Sequence, residues 1–240
     1  MALQPVFTHS WDVSPVEART IQNQLRERVC VQRLERQPQV VAGVDVSVKG
    51  GAARAAVVLL SYPDLAPFQA VTAEMPVSVP YVPGLLAFRE GAAVLKALER
   101  LEGRLDVLMF DAQGLAHPRR MGLATHLGVL LDLPAVGCAK SRLCGGAAVP
   151  GEEKGSWTPL MDGNEVIGAV VRTRSRVRPV YVSVGHRVDL ETAISLVLSC
   201  TTQYRLPEPT RWAHRVAGGE ALPTSHQPTL FDLRGGRGLR

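Results

Sequence analysis

Apolar residues follow two rhythms along this chain. Behind Ser14 and Pro15, the stretch VEARTIQNQLRERV spaces them three and four apart. An N-cap, a proline at the first helical position and an amphipathic helix of about four turns are expected. The pattern then tightens into β-branched runs, VVAGVDVSV (40–48) and RAAVVLLSY (54–62), joined by the Gly-rich KGGAA and predicted to pair as a hairpin. FQAVTAEMPV (68–77) alternates as a third antiparallel strand, PYVPG (80–84) is a rigid loop, and LLAFREGAAVLKALERLE (85–102) returns to helical spacing. From there strand and helix alternate: a strand over 106–111, a helix over about 119–131 and the strand PAVGCAK (134–140). A loop rich in Gly and Pro follows, then a strand pair at 165–173 and 179–184, a helix from Asp189 to about Cys200, and a short helix near Thr210 to Val216. No internal repeat is present, and residues 1–216 are expected to form a single domain. The segment 217–240, rich in Gly, Pro and Arg, is expected to be a mobile tail.

Three antiparallel strands followed by alternating helix and strand is the order of an α/β protein with a mixed sheet flanked by helices. The alternation places the later strands parallel to the first. Asp45 in the first strand and Asp111 at the end of the fourth then become neighbours pointing to one side of the sheet.

Composition narrows the class. At 240 residues, 46% hydrophobic and 20% charged, the chain has the make-up of a globular protein, and no apolar run reaches the roughly 18 residues of a membrane span. The opening MALQPVFTHSWD carries neither a basic n-region nor an apolar h-region, so no secretory signal and a cytoplasmic location are expected. Cys30, Cys138, Cys144 and Cys200 are scattered without a CxxC pair, which favours reduced structural thiols over disulfides or zinc. A net charge of +5 permits a polyanionic partner without establishing one.

The candidate chemistry lies where the strands stop. Asp45 interrupts an apolar strand. It is either an outward-facing carboxylate or one held by a cation, because burial without a partner costs several kcal/mol. Asp111 ends a buried strand, where ligand sites of α/β sheets cluster. Glu90 lies near the apolar face of its helix and is alternatively a solvated carboxylate paired with a nearby base. Together the three make an all-oxygen set of the kind Mg²⁺ or Mn²⁺ prefers. Around them stand Lys140, Arg142, His117, Arg119 and Arg120, the last two leading into a helix whose N-terminus favours phosphate; the alternative is a solvated helix start. Carboxylates for a metal beside bases for a phosphate suit metal-assisted phosphodiester hydrolysis. His186 and Asp189, at a strand–turn–helix junction, read as a cap, with Asp189 or Glu191 as an alternative outer carboxylate.

VAGVDVSV, PYVPGLLAFREG, FDAQGLAHPRRMGLATHLG, PAVGCAKSRLCG and LPEPTRWAH, in this order, resemble endonuclease V, a family of DNA-repair enzymes, from the opening helix to about residue 216. The resemblance implies an RNase H-like fold and a Mg²⁺-dependent endonuclease acting on DNA that contains deoxyinosine; nothing in the sequence demands more than a monomer. Such enzymes cut the second phosphodiester bond 3′ to the lesion and leave 3′-hydroxyl and 5′-phosphate ends. Relatives that prefer inosine in RNA make an inosine-specific ribonuclease one alternative, and a lesion-binding protein that does not cut is another.

By the same resemblance Asp45, Glu90 and Asp111 match metal-binding carboxylates, with Mn²⁺ able to replace Mg²⁺. Lys140 matches the lysine near the scissile phosphate, and His117 and His214 match active-site histidines. Tyr81 matches an aromatic wedge, stiffened here by Pro80 and Pro83, that fills the gap left by an extruded base. Gly84, Leu86, Gly114 and Gly122 are expected pocket walls where the backbone approaches a flipped purine. Hypoxanthine offers a C6 carbonyl where adenine has an amino group, so a backbone N–H can discriminate between them. Ala112 also belongs to this pocket and stands where the family usually has Gly. In the tail, QPTLF resembles the Q-x-x-L-F pentapeptide with which bacterial repair proteins dock on the sliding clamp, through Gln227, Leu230 and Phe231; a tail folded onto the domain is the alternative.

Overall fold

The computed structural model of the protein describes residues 3–77 and 80–222. Eight strands form one sheet: β1 (Val40–Lys49), β2 (Ala52–Ser61), β3 (Pro67–Pro76), β4 (Val107–Phe110), β5 (Ala135–Ala139), β6 (Trp157–Asp162), β7 (Glu165–Val171) and β8 (Val180–His186), in the order β3-β2-β1-β4-β5-β8-β7-β6. β1 to β3 pair antiparallel, β4 joins β1 in parallel and β5 joins β4 in parallel, while β8, β7 and β6 continue antiparallel. This is the mixed sheet of an RNase H-like fold.

The central strands are apolar on both sides because helices cover both faces. In β2, Ala53, Ala55, Val57 and Leu59 join the cluster under α2 (Leu86–Leu98) and α3 (Leu123–Leu131), whose edge is completed by Leu25 of α1 (Pro15–Arg26). Ala56, Val58 and Leu60 join the opposite cluster, under α4 (Leu190–Ser199) and α5 (Glu208–Ala217). The period of two therefore divides one strand between two cores. Burial of these side chains is the main stabilising term, roughly 1.5 to 3 kcal/mol for each large one.

Local signals set the helix ends. Ser14 accepts from the Glu17 backbone while Glu17 reaches back to the Ser14 N–H, a capping box with Pro15 next in line. Asp189 caps α4 by accepting from the Thr192 N–H at 2.7 Å.

Two elements differ from expectation. The helix expected from residue 119 begins at Leu123, because Arg120 takes a left-handed φ of 55° and its side chain turns away to other partners. β6, not anticipated, contains Pro159, which removes a ladder donor; it is tolerated because β6 is an edge strand. All four cysteines are free thiols, and burial pushes Cys138 upward and Cys200 up to about 12, so both stay protonated. No helix among the described residues is long and apolar enough to cross a membrane. Gln227, Leu230 and Phe231 lie outside the described residues.

Candidate active site

β1 and β4 deliver the two aspartates. Val41 of β1 and Val107 and Met109 of β4 belong to the cluster on the α5 side, so alternation sends Gly43, Asp45 and Asp111 to that same side. The ladder runs one step past β4, where the Asp111 N–H donates to the Val44 carbonyl at 3.1 Å. Asp45, Asp111 and His214 of α5 each offer a ligand atom within 4.8 Å of one another. His214 Nδ1 lies 2.7 Å from Asp45 Oδ2, and Lys140 Nζ lies 2.5 Å from Asp111 Oδ2.

Burial, and next the neighbouring Asp111, push the Asp45 carboxyl above its ordinary range against the opposing pull of His214 and Lys140. Glu90, on α2, is pushed up to about 8 by burial, with Asp45 and Asp111 adding to the shift. Such crowding of acids in a half-buried site is relieved by a bound cation. The two aspartates are oxygen donors that suit a hard divalent ion, with the His214 ring hydrogen-bonded beside them. Glu90 is not part of the close trio but lines the same cleft.

That cleft has a volume of about 590 Å³. Tyr81 stands at its rim, 60% exposed, with the Arg89 guanidinium 5.9 Å from its ring centre, and Pro80 and Pro83 flank it in solvent. Gly84, Leu86, Ala112 and Gly122 of the expected pocket walls line the cleft. Gly114 does not. It is packed against β8, where a Cβ would lie 2.1 Å from the Val184 carbonyl oxygen, and its N–H donates to Ser183 Oγ. Sequence reasoning missed Gln113 on the cleft wall, where its Nε2 donates to the Ser141 carbonyl at 2.8 Å. A larger void of about 700 Å³ opens at the opposite ends of β4 and β5, where Arg104 pairs with Asp106 and Arg187 with Asp132.

The basic residues divide sharply. Lys140 and the exposed Arg142 face the cleft. Arg120 does not: its guanidinium is paired with Asp162 at 2.8 Å and Glu165 at 2.7 Å of the β6–β7 hairpin. Arg119 turns inward to Gln22 and the Gly84 carbonyl. His117 touches the cleft but is only 3% exposed and has both ring nitrogens engaged, so it is not a free base. The start of α3 is no open anion site either, since the Gly122 and Ala124 N–H groups donate to the carbonyls of Gly114 and Gln113. His186 bonds Asp132 at 3.1 Å, Asp189 caps α4, and Glu191 is exposed on α4; none of the three lines the cleft.

The sequence model of the Endonuclease V family matches residues 23–215. The chain belongs to the endonuclease V family. Endonuclease V of Methanothrix thermoacetophila is 54% identical over 206 residues, 86% of this chain and 92% of the relative. The crystal structure of endonuclease V from Streptomyces avermitilis superposes with a TM-score of 0.84 at 42% identity, covering 91% of this chain and 96% of that one. Endonuclease V of Ciona intestinalis, bound to a 24mer DNA containing an inosine followed by a ribo-adenosine, superposes with a TM-score of 0.72 at 29% identity over 85% of this chain and 95% of that one. Membership in endonuclease V makes the protein a nuclease, with an acidic cluster at the strand ends that fits a metal.

Proposed function

We propose that the protein is a DNA-repair endonuclease that recognises deoxyinosine and hydrolyses the second phosphodiester bond 3′ to it, with Mg²⁺, or Mn²⁺ in its place, as cofactor. The observation that carries this reading is the convergence of Asp45, Asp111 and His214 within 4.8 Å in a cleft rimmed by the exposed Tyr81. Asp45 and Asp111 would hold the cation, with Glu90 lining the same cleft. A bound divalent ion supplies Lewis acidity and charge neutralisation at the phosphodiester.

The chain's own groups do the rest. Lys140 places its ammonium beside Asp111, where it attracts the scissile phosphate, and Arg142 adds a second positive charge at the mouth. His214 donates from Nδ1 to Asp45, which leaves Nε2 bare to take a proton from the attacking water. Tyr81 fills the place of the extruded base. Hypoxanthine enters between Gly84, Leu86, Ala112 and Gly122.

The test is a deoxyinosine duplex incubated with Mg²⁺ or with EDTA, using the wild type and Asp45→Ala. The wild type with Mg²⁺ yields a single product ending at the second bond 3′ to the lesion; undiminished cutting in EDTA or by the variant sinks the metal mechanism. A ribonuclease directed at inosine is a second reading, favoured by the ribo-adenosine after the inosine in the Ciona intestinalis complex. Paired DNA and RNA substrates decide between them, and binding without cutting of either leaves the lesion-binding alternative. The domain of residues 1–216 carries the activity, acting as a cytoplasmic monomer. The QPTLF segment docks on a sliding clamp, a proposal that fails if Leu230→Ala/Phe231→Ala recovers as much clamp in a pulldown as the wild type.

A further inference from the structure

One carbonyl at the wall of the cleft is held by three side-chain donors. The Gly84 oxygen accepts from Gln22 Nε2 at 3.0 Å, His117 Nε2 at 3.0 Å and Arg119 Nη2 at 2.7 Å. Gln22, on α1, is fully buried and engages both its amide N–H groups and its carbonyl oxygen. Its amide also donates to the Met121 carbonyl at 3.1 Å, and its Oε1 accepts from Arg119 Nε at 2.6 Å. His117 Nδ1 faces the backbone N–H groups of Arg119 and Met121, at 3.1 and 3.4 Å. It is therefore the acceptor, and Nε2 carries the proton given to Gly84. Burial holds His117 at about 4, so this neutral tautomer persists through the physiological range.

Gly84 is also the hinge of the loop that rims the cleft. Its φ is +82°, and a Cβ there would come within 2.8 Å of Arg119 Nη2. The next N–H, of Leu85, closes the PYVPG turn on the Val82 carbonyl at 2.9 Å. Turning the Gly84 peptide would move Tyr81 on one side and Leu86, a cleft wall, on the other.

We propose that Gln22, acting with Arg119 and His117, is a positioning residue that holds loop 80–86 and thereby sets the selectivity for the extruded base. The inference rests on the inosine-directed reading above. Gln22 touches neither the acidic cluster nor the cleft, so its effect is on how the base is received rather than on the hydrolytic groups. A fully satisfied buried network fixes one geometry; removing a member leaves its partners unpaired and the loop free to sample others.

The experiment uses the full chain with Gln22→Leu, Arg119→Gln, the double variant, and Asn23→Ala on the exposed face of α1 as control. Two quantities are read: amide hydrogen exchange across residues 80–88 without DNA, and kcat/KM for duplexes carrying deoxyinosine or deoxyadenosine at one position. Each single variant is expected to speed exchange in that segment by roughly 5- to 10-fold, the loss of about one net hydrogen bond. Each also narrows the inosine-over-adenine ratio by about 10-fold, with the double variant no worse than the worse single one. Should Gln22→Leu fail to fold, Arg119→Gln carries the same two readouts. Unchanged exchange in a folded variant overturns the proposal, as does a uniform fall in kcat/KM that leaves the ratio intact. A wild type that cuts neither duplex would refute the inosine reading instead, and exchange alone would then judge the clamp on Gly84.

Discussion

His126 sits in the middle of α3 with no exposure and with Nδ1 unpartnered. Its Nε2 lies 2.7 Å from His9 Nε2, and since His9 Nδ1 donates to the Ser10 carbonyl, His126 is the donor of the pair. Trp11 stacks on it at 5.5 Å between ring centres. Burial drives its pKa from the ordinary 6.5 down to about 3, so between those values the unfolded chain binds a proton that the folded one does not. The contribution is fully present above about pH 6.5 and is lost as pH falls towards about 3. His117, at about 4, adds in the same direction. The urea midpoint is therefore expected to fall steadily on acidification below about pH 6.5, and His126→Phe to flatten that slope. An unaltered slope in the variant would place the acid sensitivity elsewhere.

At the scale of elements, the site depends on how closely α5 approaches β1. A Cβ on Gly43 would lie 1.8 Å from the Pro209 carbonyl oxygen, so only glycine admits the first turn of the helix that carries His214 to Asp45. Gly43→Ala should cost about 1 to 3 kcal/mol of stability by overpacking and reduce cleavage. In a His214→Ala background the same change should reduce cleavage little further, because both act through one contact. Additive losses would argue that Gly43 serves stability alone. α4 offers the contrasting case. Asp189→Ala should lower stability by about 1 kcal/mol, the usual worth of an N-cap, and leave cleavage unchanged. A fall in kcat at constant stability would instead give Asp189 a role in the acidic cluster.

For the molecule as a whole, the surplus of positive charge matters only where it is free to meet phosphate. With 27 Lys and Arg against 22 Asp and Glu, the chain carries a net +5, yet several of its arginines are internally paired. Each phosphate contact contributes about −0.9 to the slope of log Kobs against log salt. Arg142→Ala should therefore make the slope for duplex binding shallower by about one such unit, whereas Arg120→Ala should leave it unchanged and lower the melting temperature. Equal slopes for wild type and Arg142→Ala would remove Arg142 from the interface.

The periodicity of the chain specified most of the architecture, because strands buried on both faces write continuous apolar runs and helices write period 3.6. It missed β6, whose Pro and exposed positions leave no such pattern. The adjacency of Asp45 and Asp111 was legible, since parallel pairing follows from the order of elements. Gln22 left a trace that is plain only in retrospect: a polar residue at the buried positions otherwise held by Ala18 and Leu25. What the sequence could not express is how polar side chains share partners. Arg119, Arg120 and His117 stand in one short run beside a carboxylate, and charge alone assigns all three to phosphate. Folding gave Arg120 to a hairpin more than forty residues away and turned Arg119 and His117 onto one carbonyl. Those partners are distant in sequence, and a buried donor goes to whichever acceptor the packing brings within reach. Local pattern thus determined the elements and the carboxylates at their ends; only the tertiary structure decided which of the neighbouring bases remain free for a substrate.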